Sequence, residues 1–266
     1  MPAAGPRLPQ DRGKAAAGPP APPLGPPSPG GSSRPGNGSP RPHPSPWSPR
    51  LIPELRLLLP RGLVVDPFGG VGRLGLLGAA WRVLAGDLEP EWAAQAPRHG
   101  ARGFVWDARA LPFADASLPC IATSPAFGNR LADAYLPPDY GRGDERRSHA
   151  SRRTYSLALG RPLTLGSGAG LPWGEPYRQL HWEALHEFCR VLRPGGLLVV
   201  NVKDHVRAGR RRKVCAWWAK AIAAAGFEVV ERRRLPARGD QNLARARAQG
   251  REVVEDEELI VARRKG

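Results

Sequence analysis

The chain has 266 residues, and 40 Lys and Arg (35 of them arginine) against 24 Asp and Glu give a formal charge of +16. That excess points to an anionic partner, nucleic acid first, because phosphates recruit Arg and Lys through counterion release, although the many glycines, prolines and arginines also fit a GC-rich genome. No apolar run reaches the roughly 18 residues of a membrane span, the start carries no signal-peptide core, and Cys120, Cys189 and Cys215 are too scattered for a disulfide framework or a cysteine-based zinc site, so a soluble, cytoplasmic protein without metal is expected.

Residues 1–42 hold no aromatic residue, and 16 of the 31 prolines fall within the first 50 positions. Such a segment buries too little apolar surface to offset its ordering entropy, and a disordered tail is expected. The remaining 224 residues (266 − 42), 43–266, suit one α/β domain. Ser48 followed by Pro49 predicts a capped short helix through Leu51, Ile52, Leu55 and Leu58. Strand-like apolar runs follow at Leu63–Val65, Val83–Ala85, Gly103–Trp106, Cys120–Thr123, Leu197–Val202, Phe227–Glu231 and Glu258–Ala262. Helical patterns lie near 72–80, 90–97, 178–192 and 212–225, the last closed by Gly226. The alternation predicts an α/β fold with a mainly parallel seven-stranded sheet, helices on both faces and an antiparallel pair at one edge. Residues 128–177 form too long a connection for an ordinary loop and read as a functional insertion.

The first strand runs through Val64-Val65-Asp66-Pro67-Phe68-Gly69-Gly70-Val71-Gly72 into a helical pattern. Glycines there let the backbone approach a ligand, and open amides face it at the helix start. Gly70–Gly75 fits the dinucleotide pattern G-x-G-x-x-G literally. Against that reading, Asp66 and Pro67 put a carboxylate where a pyrophosphate would be repelled and an ammonium group welcomed. A carboxylate at the end of each early strand suits S-adenosylmethionine. Asp66 would face its amino-acid or sulfonium end, Asp87 would accept the ribose hydroxyls and Asp107 the adenine amino group, with Phe68, Gly70 and Gly72 completing the loop. Aspartates are common in turns after strands, so the argument needs all three in register.

The fourth strand ends in Thr123-Ser124-Pro125-Ala126-Phe127-Gly128-Asn129-Arg130. Here the sequence resembles the amino-methyltransferases of DNA, whose motifs are D-P-F-x-G-x-G and (S/N/D)-P-P-(Y/F), and most of all bacterial and phage DNA methylases with a T-S-P-P-Y-G-N-R signature. The likeness runs from His43 to about Lys265 and includes His43-Pro44, Trp47-Ser48, Arg153-Thr154-Tyr155, Leu159-Gly160-Arg161, Trp173-Gly174, Tyr177-Arg178 and Asn201-Val202-Lys203-Asp204-His205. It implies a Rossmann-like class I methyltransferase that uses S-adenosylmethionine, acts on DNA, and employs Ser48 as a further cofactor residue. Serine at position 124 implies N4 of cytosine before N6 of adenine.

The chemistry explains the residue types. An exocyclic amine is a poor nucleophile because its lone pair is delocalised into the ring. Oxygens that accept its hydrogens favour a pyramidal nitrogen, and Ser124 with the Pro125 carbonyl are the candidates. Phe127 is expected to stack on a flipped base. Ala126 and Phe127 replace proline and tyrosine of the motif, which relaxes a turn and removes a hydroxyl. Asn129, Arg130, Arg153 and Tyr155 are the candidate substrate contacts, in an insertion whose cations and aromatics suit splayed bases. Cys120 begins its strand and reads as a small buried hydrophobe, not a nucleophile. Three rivals remain: an RNA methyltransferase of the guanine-N2 type, a non-catalytic nucleic-acid binder, and a nicotinamide-dependent reductase.

Overall fold

The computed structural model describes residues 43–129, 131–132, 154–236 and 241–266. The expected tail 1–42, with Arg130, Arg153 and the middle of the insertion, lies outside the described residues. Seven strands form one sheet: β1 (Gly62–Asp66), β2 (Trp81–Asp87), β3 (Arg102–Val105), β4 (Leu118–Thr123), β5 (Leu192–Val202), β8 (Phe227–Pro236) and β9 (Asp256–Arg264), in the order β3-β2-β1-β4-β5-β9-β8. β1 to β5 pair in parallel, and β9 runs antiparallel to both β5 and β8. This is a Rossmann-like architecture, and each strand contains the apolar run expected for it except β3, which ends at Val105 and leaves Trp106 just beyond. Between β5 and β8 lies a two-stranded hairpin, β6 (His205–Arg207) and β7 (Arg210–Arg212), which no apolar pattern announced.

The sheet is buried on both faces, which is why its central strands read as continuous runs. Val65, Ile121, Leu198, Val200 and Ile260 face the long helices α4 (Glu175–Val191) and α5 (Val214–Ala224). Val64, Val83, Cys120, Val199 and Val261 face α1 (Ile52–Leu58) and a 3₁₀ turn at Arg73–Leu77. Cys120 is wholly buried there and burial pushes its thiol up to about 12, so it packs as an apolar side chain. Trp217 and Trp218 are both buried on α5.

The early helices are shorter than the sequence pattern suggested. The stretch near 72–80 is only the Arg73–Leu77 turn, ended by Gly78 in an extended, positive-φ conformation. The stretch near 90–97 divides into α2 (Pro90–Ala93) and a turn at Ala96–His99, because Pro97 has no N–H to continue a helix. Ser48 occupies the N-cap position of the Pro49–Leu51 turn before α1, but its side chain makes no cap hydrogen bond.

Chain order places β2 and β3 on one side of β1 and β4 and β5 on the other, so the connections leaving the carboxyl ends of β1 and β4 diverge. That divergence opens the crevice in which such sheets bind ligands. One wall of it depends on Gly86 in β2. A Cβ there would lie 1.7 Å from the Trp106 indole, which is flanked by Phe104 and Phe113. Gly86→Ala therefore has to displace a buried tryptophan, and a loss of about 3 kcal/mol in urea unfolding is expected; an unchanged midpoint would show that the wall is loose.

Candidate active site

The carboxyl ends of the first four strands open onto one pocket. Its lining includes Pro67 and Phe68 after β1, Asp87 and Leu88 at β2, Trp106, Asp107 and Ala108 after β3, and Ser124 and Ala126 after β4. The walls are mostly aromatic or apolar, with few polar groups converging on them, the usual make-up of a small-molecule site.

Asp87 is held in place by the glycine loop. Gly70 N donates to its Oδ2 at 3.1 Å and Glu89 N to its Oδ1 at 2.9 Å. Burial pushes its carboxyl up to about 7, with those amides pulling the other way. Gly70 has φ +52°, and a Cβ there would come within 3.0 Å of the His43 ring, so this close turn needs glycine. Gly72 serves packing instead: a Cβ on it would meet Ala96 at 2.4 Å, away from the cavity.

Asp66 is fully buried beneath the cavity and does not line it. Trp47 Nε1 donates to its Oδ2 and Thr123 Oγ1 to its Oδ1, both at 2.7 Å, while Phe68 N donates to the Thr123 hydroxyl at 3.2 Å. Burial raises this carboxyl to about 6 against those hydrogen bonds. Asp66 therefore ties the ends of β1 and β4 to the N-terminal arm. Ser48, next to Trp47, is likewise outside the lining. Asp107 does line the cavity, but Arg109 takes its carboxylate in a fork, with Nη2 2.6 Å from Oδ2 and Nε 3.0 Å from Oδ1. Its remaining capacity for an adenine amino group is correspondingly small.

The Ser124–Gly128 segment is anchored from two sides. Asn201 Nδ2 at the end of β5 donates to Ser124 Oγ at 3.3 Å and also reaches Glu257 Oε2 at 3.3 Å. From below, the wholly buried Tyr177 of α4 donates its hydroxyl hydrogen to Ala126 O at 2.7 Å and accepts from Trp218 Nε1 at 3.3 Å. Trp173 N donates to Gly128 O at 2.9 Å. These contacts restrain the turn that the missing proline would otherwise stiffen. Pro125 is buried, Phe127 and Asn129 are half-buried, and none of the three is among the residues lining the cavity. The aromatic walls are instead Phe68, Trp92, Trp106 and Tyr155. Tyr177→Phe leaves a buried carbonyl and a buried indole N–H without their partner. It should cost about 2 kcal/mol of stability and, in any turnover assay, lower kcat more than it raises the cofactor KM; equal stability of the two proteins would contradict the anchoring.

Two further stretches close the cavity, and of their residues the sequence singled out only Tyr155, as a candidate substrate contact. His43 and Ser45 come from the N-terminal arm, Tyr155 and Gly166–Ala169 from the later part of the 128–177 insertion, and Leu180 and His181 from α4. Tyr155, at the start of α3 (Tyr155–Leu159), packs edge-on against His43 and Trp92, with centroids 5.6 and 5.9 Å apart. The returning chain is fastened by Glu89, which is fully buried. Thr164 N and Oγ1 donate to its two oxygens at 2.8 and 2.9 Å, and Arg161 Nη2 lies 2.9 Å from Oε2. His43, half-buried, and His181, buried, are both held neutral, with desolvation lowering them to about 3 and about 4. The Tyr177 carbonyl accepts from His181 Nδ1 at 2.7 Å, which fixes the proton on that nitrogen. Among the described residues no cluster of His, Cys, Asp and Glu is placed to hold a metal, and no helix is long and apolar enough to cross a membrane.

No family model matches the chain, and no curated protein matches it. Solved structures similar to it include TrmN from Thermus thermophilus, at 19% identity and a TM-score of 0.44, covering 81% of this chain and 47% of that one. An S-adenosylmethionine-dependent methyltransferase from Mesorhizobium loti is similar at 16% identity and a TM-score of 0.43, covering 80% and 96% of the two chains. The [4+2]-cyclase SpnF is similar at 16% identity and a TM-score of 0.47, covering 81% and 80%. The chain thus spans about half the length of the TrmN structure.

Proposed function

We propose that the chain is an S-adenosylmethionine-dependent methyltransferase acting on an exocyclic amino group of a nucleic-acid base, with N4 of cytosine in DNA the favoured target. The observation that carries this reading is that Asp87 and Ser124 line the same cavity. A carboxylate shaped for a ribose diol and an acceptor shaped for an amine thus share one space.

The residues fit the cofactor. Asp87 offers a carboxylate already oriented by two backbone amides, Leu88 and Trp106 offer apolar surface for an adenine, and Phe68 covers the loop after β1. Bound there, S-adenosylmethionine would supply an electrophilic methyl group on a positively charged sulfur. The protein's own part is positioning. Ser124 Oγ and the Pro125 carbonyl would accept the two amine hydrogens, leaving the nitrogen lone pair directed at the methyl carbon. Asn201, by donating to Ser124 Oγ, leaves that hydroxyl free to turn its own hydrogen away and its second lone pair towards the amine. Tyr155 and Trp92 replace Phe127 as the rings available to stack on an extruded base.

The test is transfer of labelled methyl from S-adenosylmethionine to duplex DNA, single-stranded DNA and tRNA by the purified chain, with the nucleosides separated by mass spectrometry. Label in N4-methylcytosine is expected. Label confined to N2-methylguanosine would select the RNA alternative, and nucleic-acid binding without label, restored by Ala126→Pro, would select the non-catalytic one.

A further inference from the structure

The basic run His205–Lys213 holds five Lys and Arg and no acidic residue. Its sequence suggested part of a helix start, but the structure makes it the β6–β7 hairpin. The turn is Ala208-Gly209, both with positive φ (51° and 69°), the two-residue geometry that keeps a ribbon tight and twisted. Register sets which side chains share a face. His205 pairs with Arg212 and Arg207 with Arg210, and these four point one way; Val206 and Arg211 point the other.

The two faces differ in how their charge is met. Arg211 is tied to the body: its Nε donates to Asp204 Oδ2 at 2.8 Å, its backbone N to Glu252 Oε2 at 3.1 Å, and its Nη2 lies 3.7 Å from Asp256. Asp204 in turn accepts from Cys215 N at the start of α5, so the ribbon's base is rigid. On the opposite face, Arg210 and Arg212 form no ion pair among the described residues, nor does Lys213 just beyond. Arg207 lies directly opposite Arg210 on the same face, so cationic side chains are clustered there.

Position tells which anion such a face would meet. The ribbon springs from the carboxyl end of β5, where Asn201 touches Ser124. Its tip lies three residues further out, about 10 Å beyond His205 at ~3.3 Å per residue. We infer that the β6–β7 ribbon is a backbone clamp: its arginine face binds phosphates of the nucleic acid whose base enters the cavity, without reading sequence. This rests on the methyltransferase reading for its substrate, but its test does not. Phosphodiester charge is common to DNA and RNA, so both are probed.

The experiment measures fluorescence anisotropy of the full chain on a short DNA duplex and on the matching RNA duplex between about 50 and 200 mM salt. Arg210→Gln/Arg212→Gln should lower the slope of log affinity against log salt by about 2 and weaken binding about tenfold at the low end. A control pair, Arg193→Gln/Arg102→Gln, removes two exposed charges at the amino ends of β5 and β3, the opposite edge of the sheet, and should leave the slope unchanged. The stronger of the two duplex responses names the backbone. An unchanged slope in the ribbon variant, an equal drop in the control, or no binding by the unaltered chain each overturns the clamp. Calorimetry with S-adenosylhomocysteine keeps the two ideas apart: intact cofactor binding with an unchanged slope sinks only the ribbon, and a lost slope without cofactor binding sinks only the methyltransferase.

Discussion

Asp87→Ala should weaken binding of S-adenosylhomocysteine by at least about 100-fold, close to 3 kcal/mol, in a calorimetric titration. The reason is the double role of that carboxylate. Its oxygens already accept from Gly70 N and Glu89 N, and these fix its direction, so a ribose diol would meet an acceptor that needs no reorganisation. Asp87→Asn keeps one acceptor and should lose about tenfold. The pH dependence follows from the raised pKa. With the carboxyl pushed up to about 7, the ionised acceptor is depleted below neutrality, and affinity should fall about tenfold between pH 8 and pH 6. The stability sign is the reverse. A folded-state value raised from 3.8 to about 7 means that stability is fully present below pH 4 and is lost as pH rises through 7. Asp87→Asn should therefore be less destabilising at pH 8 than at pH 5, and a loss of ligand binding with preserved melting at pH 8 separates a contact from a collapse.

Ser124→Ala should lower kcat for methyl transfer by about 100-fold with cofactor affinity within a factor of two or three, since one acceptor aimed at a developing charge is worth roughly that much. Its environment makes the prediction specific. The hydroxyl is half-buried at the cavity wall and held by Asn201 Nδ2. Asn201→Ala should reproduce part of the loss, about tenfold, and adding it to Ser124→Ala should bring little more, because Asn201 works through the hydroxyl. A Ser124→Ala protein with full turnover would remove the serine from the chemistry, and additive losses would show that Asn201 acts elsewhere.

What could be read from the sequence was what is local. Strand runs such as Leu197–Val202 carry their burial in their own composition, and the carboxylates at positions 66, 87 and 107 carry their register at strand ends. Which way each carboxylate points is not local. Asp66 is claimed by Trp47, 19 residues before it, and by Thr123, 57 after it. Glu89 fastens Thr164 across 75 residues. Neither partnership leaves a spacing to detect, so the arm at His43 and Ser45 and the closing residues Gly166–Ala169, Leu180 and His181 stayed invisible as walls, while Tyr155 was marked only by its place among cations and aromatics. Asp107 differs, since its fork with Arg109 is only two residues away and was legible in principle. The ribbon was hidden by its turn: Ala-Gly lacks the Asn or Asp that normally announces a two-residue hairpin. Phe127 shows a different limit: a motif position implies stacking, but which rings line the cavity is set by the fold, and there they are Phe68, Trp92, Trp106 and Tyr155.

A crystal structure with S-adenosylhomocysteine bound tests the whole account most directly. It should place both ribose hydroxyls within hydrogen-bond reach of Asp87, with the open side of the sulfur turned towards Ser124. Ligand density on any other surface, or a sulfur facing away from Ser124, would contradict it.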